Sequence, residues 1–88
     1  MPSPSPDVVG RDLGDEVVLV NLRTNRIFAL NPTGARFWQL LVEGISREEI
    51  EATLLREYDL SKDAVAGEID RLVGELEREG IVRGAGTG

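Results

Sequence analysis

"LRTNRIFALNPTGARFWQLL", residues 22–41, reads as a strand end, a tight turn, a return strand and a capped helix, with almost no slack. In "RTNR", 23–26, Asn25 tolerates the positive φ that a tight or bulged hairpin needs. "RIFAL", 26–30, is the return strand. Asn31 is a good N-cap, and Pro32 suits the first helical position, where no N–H is required. Ala35, Phe37, Trp38, Leu41 and Val42 recur with a 3.6-residue period, so helix one runs to about Glu43 and Gly44 can close it. Nothing in the stretch looks catalytic. Its best-defined feature is a short hairpin that feeds a helix.

Upstream, "DEVVLVNL", 15–22, is rich in Val and Leu and predicts a strand. Both of its faces are apolar, Val17 and Leu19 on one and Val18, Val20 and Leu22 on the other. That pattern predicts a strand covered on both sides, or the central strand of a small sheet. "DVVGRDLG", 7–14, offers an apolar pair and then turn-formers, and is taken as a first strand. Downstream, Ser46 and Glu49 of "ISREEI" form a capping box, with Ile45 and Ile50 in hydrophobic-staple positions. Ile50, Leu54 and Leu55 make the buried stripe of helix two, which ends near Tyr58. Helix three starts at the N-cap Ser61, with Leu60 and Val65 as its staple. Val65, Ile69, Leu72, Val73 and Leu76 share one face, Gly80 ends the helix, and Ile81 and Val82 pack back.

Strands followed by helices argue an α+β domain: a three-stranded antiparallel sheet and then three helices, the parts list of a winged helix-turn-helix. The ordered part spans 7–82. The Pro/Ser-rich 1–6 is expected to be disordered and the Gly-rich 83–88 to be a flexible tail.

Composition narrows the function. The chain has 88 residues, enough for one domain with a modest core. Its net charge of −6 disfavours nucleic acid, which is held by Lys and Arg on phosphates, and disfavours an anionic membrane surface. With no Cys there is no thiolate nucleophile or zinc–thiolate site, and with no His the usual general base and the commonest metal ligand are missing. No cofactor is implied. The longest apolar run, Val17–Val20, is far short of the roughly 18 residues of a membrane span, and "MPSPSPD" lacks the regions of a signal peptide. A cytoplasmic location is the expectation. The carboxylate clusters fall at helix caps and on exposed faces.

A domain this small has a sheet with edges, and an edge strand is a row of backbone groups that another chain can join. "RIFAL" is either such an acceptor or a simply solvated edge; its residues alone do not choose.

Residues 17–44, "VVLVNLRTNRIFALNPTGARFWQLLVEG", closely resemble the PqqD family. The resemblance rests on Thr24, Arg26, Phe28, Leu30, Asn31, Gly34, Ala35 and Trp38, and on the later Leu76, Gly80, Ile81 and Val82. It implies a non-catalytic recognition element of a pathway that makes ribosomally synthesised, post-translationally modified peptides (RiPPs). Such domains bind a precursor's leader as an added strand, between the third strand and the third helix. They present the core peptide to a separate enzyme. The "NPTGARFWQLL" form resembles the lasso-peptide type, which works beside a cysteine-protease leader peptidase and a cyclase. The alternative is pyrroloquinoline quinone (PQQ) biosynthesis with a radical-SAM partner.

Carried over, the resemblance implies a peptide site formed by Arg26, Ile27, Phe28, Ala29 and Leu30 on the strand. The helix supplies Val65, Glu68, Ile69, Arg71, Leu72, Glu75 and Leu76, some of which must also hold the core. Glu68 and Glu75 are placed to meet a basic leader residue, and Arg26 or Arg71 an acidic one. The competing readings are a winged-helix DNA-binding regulator, opposed by the acidic third helix, and a small enzyme, opposed by the missing His and Cys.

Overall fold

The computed structural model of the chain describes residues 2–14 and 16–83. The strands are β1 (Ser3–Pro4), β2 (Val8–Asp12), β3 (Val17–Asn21), β4 (Arg26–Leu30) and β5 (Val82–Arg83), and the helices are α1 (Pro32–Val42), α2 (Arg47–Glu57) and α3 (Lys62–Arg78). The fold is α+β: an antiparallel sheet of order β2-β3-β4, then three helices. Each helix begins where its cap predicts. The side chains of Asn31, Ser46 and Ser61 accept from the N–H groups of Gly34, Glu49 and Ala64 respectively. Asn25, at φ 64°, turns the hairpin between β3 and β4.

Alternation along β3 explains the core. Val17, Leu19 and Asn21 are buried on the helix side, beside Phe37, Trp38, Ile50, Leu54 and the apolar stripe of α3. The other face fits the second of the two expectations for this strand, a central position in a small sheet. Val18 and Val20 are only half-buried, and among the described residues no layer covers them. The cross-strand neighbours of Val20, Val9 and Ile27, are half or more exposed, and those of Val18, Arg11 and Ala29, are exposed too. The strand is apolar on both faces because it is central, not because it is covered twice. Antiparallel sheets commonly leave one face open.

A departure from the sequence reading concerns residues 1–6, expected to be disordered. Ser3 and Pro4 pair antiparallel with Arg83 and Val82, Ser5 is buried, and its N–H donates to the Ile81 carbonyl at 2.8 Å. The reason is tertiary: the chain that packs back after α3 presents a strand edge, and a Pro/Ser segment can pair at an edge. Met1 and residues 84–88, the rest of the expected flexible ends, lie outside the described residues.

α1 and α2 are clamped by Arg36, whose Nε and Nη2 donate to the two Glu57 carboxylate oxygens at 2.9 and 3.0 Å. That fork holds the exposed Glu57 carboxyl below the usual carboxylate range. Among the described residues no helix is long and apolar enough to cross a membrane.

Candidate functional site

The open edge on β4 follows from backbone phase. The Leu22 N–H donates to the Asp7 carbonyl and the Leu13 N–H to the Glu16 carbonyl, both at 2.8 Å. Even-numbered residues of β3 therefore direct their backbone groups to β2, and alternation turns Val17, Leu19 and Asn21 toward β4. Their register partners are Leu30, Phe28 and Arg26. Ile27 and Ala29 are left with N–H and C=O groups facing out of the sheet. These are the groups that an added strand meets.

Beside this edge stands α3. A depression of ≈ 170 Å³ lies between them, lined by Phe28, Ala29, Leu30, Asn31, Arg71, Leu72 and Glu75. Phe28 is half-buried against the core and Leu30 fully buried, so apolar side chains meet the polar Asn31, Arg71 and Glu75 in its lining. The roles that sequence left undivided separate here. Val65, Ile69, Leu72 and Leu76 are all buried and hold the core. Leu72, near the strand, also borders the depression.

The charges at the rim satisfy one another. Arg71 is held between Glu68 and Glu75, its Nη1 lying 2.6 Å from a Glu75 oxygen and its Nη2 bonded to Glu68. The Glu68 hydrogen bond, then that from Glu75, raises the affinity of the Arg71 guanidinium for its proton. Arg26 Nε sits 2.9 Å from Glu79. A charge on any partner that docked here would exchange an internal pair for an external one. Such contacts tune specificity and on-rate more than affinity. Among the described residues no group of side chains is arranged to hold a metal ion.

Asn21 is a residue that sequence reasoning passed over. Its buried side chain donates from Nδ2 to the Glu79 carbonyl at 2.9 Å. Its Oδ1 accepts from the N–H groups of Arg23 and Thr24 at 3.0 and 3.3 Å. One amide thus ties the hairpin to the end of α3 and fixes the spacing of strand and helix. Gly80 makes room for it: at φ 71° a side chain is strained, and a Cβ there would stand 3.1 Å from Asn21 Nδ2. The available signal was an Asn ending an apolar strand just before a turn. Asn21→Ala is expected to lower stability by about 1–3 kcal/mol, because it strands partly buried backbone groups. A urea midpoint shifted down at constant m-value checks this.

The fold and its open edge beside a helix define a small binding domain of the PqqD type. Residues 16–82 match the family model for coenzyme PQQ synthesis protein D (PqqD), and the chain belongs to that family. Two solved structures are similar to it. "TbiB1 in Complex with the TbiA(beta) Leader Peptide" is 33% identical, with a TM-score of 0.89 over 93% of this chain and 95% of that one. "Lasso peptide synthetase B1 complexed with the leader peptide" is 24% identical, with a TM-score of 0.86 over 94% of this chain and 98% of the other, and bears on the fold alone. No curated protein matches the sequence.

Proposed function

We propose that this chain is a non-catalytic leader-peptide-binding protein of a RiPP pathway, of the lasso-peptide type. The leader adds as a strand along β4. The outward backbone groups of Ile27 and Ala29 bond it, and the depression bounded by Phe28, Leu30 and Leu72 takes its inward side chains. Glu68, Arg71, Glu75 and Arg26 form the charged rim. The carrying observation is the likeness to TbiB1 in its leader complex, at 33% identity over 93% of this chain. The family description alone points to PQQ synthesis; the likeness to a leader-peptide complex supports leader binding, and the resemblance of "NPTGARFWQLL" to the lasso-peptide type favours the lasso reading.

Presentation to a separate leader peptidase requires a surface other than the groove. The open face of the sheet, with Val9, Val18, Val20 and Ile27, supplies one that is apolar and continuous with the β4 edge. Exposed apolar patches of this kind mark interaction sites.

The test is a titration of the ¹⁵N-labelled chain with a synthetic leader of a short precursor peptide sought in the neighbouring reading frames. Saturable binding with the largest amide shifts at residues 26–30 and 68–75 is expected. Saturable binding with shifts elsewhere would refute the site. No binding of that leader would refute the pathway assignment.

A further inference from the structure

The sheet has a second free edge, on β2, and it carries its own structure. By the same phase argument Val8, Gly10 and Asp12 turn their backbone groups away from β3. The Val8 N–H donates to the Ser5 carbonyl at 3.2 Å, so Val8 offers mainly a carbonyl outward, while Gly10 offers both groups. Below this edge, against α1, lies an open cavity of ≈ 520 Å³ lined by residues that include Val8, Gly10, Val17, Trp38, Gln39 and Val42. Trp38 is 7% exposed. No hydrogen bond among the described residues uses its indole N–H, and a Cβ on Gly10 would stand 3.4 Å from its Nε1. Gly10 therefore leaves a notch in the strand directly over the indole.

We propose that a second copy of this chain occupies this edge, its β2 running antiparallel about a two-fold axis through Val9. The register is self-complementary. Gly10 meets Val8 of the second copy, so the Gly10 N–H reaches the carbonyl Val8 leaves free, and the Val8 side chain covers the notch. Asp7 meets Arg11 and Arg11 meets Asp7, two opposite-charge pairs. Val9 meets Val9 in a close, non-hydrogen-bonded pair and extends the row Ile27–Val20–Val9 across the axis. The neighbouring two-fold registers are worse. Centring on Gly10 sets glycine against glycine and leaves both notches empty, and centring on Arg11 sets arginine against arginine. The β4 edge lies at the other side of the sheet and stays free.

Sedimentation equilibrium of the full chain, up to about 1 mM, reads the association directly. A reversible dimer of the 9.6 kDa chain is expected. Arg11→Asp sets like charges opposite Asp7 and should weaken it at least about tenfold. The double reversal Asp7→Arg/Arg11→Asp should restore it, with circular dichroism showing both variants folded. A single monomeric species throughout would overturn the proposal. So would a dimer indifferent to Arg11→Asp, failure of the double reversal to restore it, or a dimer lost to a proline on β4 instead. Leader-induced amide shifts at residues 8–12 equal to those on β4 would assign the edge to peptide and likewise overturn it.

Discussion

Ala29→Pro is expected to weaken leader binding by roughly tenfold to hundredfold and leave the domain folded. The Ala29 N–H faces the open edge, so proline there removes no bond between β3 and β4. Proline is tolerated on an edge strand when its missing donor points to solvent. An incoming strand loses that donor and meets the pyrrolidine ring at the contact line. Phe28→Pro, one residue away, should behave oppositely. Phe28 is paired with Leu19 inside the ladder, so the change breaks the sheet itself. Circular dichroism with peptide titration separates the two: folded and non-binding for Ala29→Pro, unfolded for Phe28→Pro. An unchanged affinity in Ala29→Pro would rule out strand addition on β4. Amide shifts are the proper readout. Trp38, the sole tryptophan, faces the cavity under β2 at the far side of the sheet and is a poor reporter of the leader groove.

Phe37→Ala is expected to cost about 3–5 kcal/mol. Phe37 is 0% exposed and sits among Leu19, Leu30, Ile50, Leu54 and Leu76 in the one core that sheet and helices share. Truncation loses the transfer energy of the ring and leaves a cavity that surrounding helices cannot fully close. Against a total of about 5–15 kcal/mol, that is enough to leave a marginal domain largely unfolded at physiological temperature. Thermal melting by circular dichroism checks it; a melting temperature within a few degrees of the parent would mean that the core lies elsewhere.

The elements were legible in the sequence because their causes are local. Asn31, Ser46 and Ser61 cap helices by reaching N–H groups three residues on, and Asn25 adopts its left-handed turn by its own tolerance. The stripe Val65, Ile69, Leu72 and Leu76 was readable as one face because helical spacing alone aligns it. Its division between core and groove was not, since burial depends on what lies opposite. The proposed peptide site came from resemblance, and Asn21 was missed because its main partner, Glu79, is 58 residues away.

What the sequence by itself determined was the order, type and ends of the elements, and the apolar and charged faces they carry. Only the tertiary structure decided which strands are edges, which backbone groups on them stay free, and that one face of β3 is left open. It also decided that residues 3–5 dock on the returning end of the chain. The physical reason is that periodicity and capping are set within a few residues. Strand neighbours, register phase and the closing of distant segments are set by pairings that no local window contains.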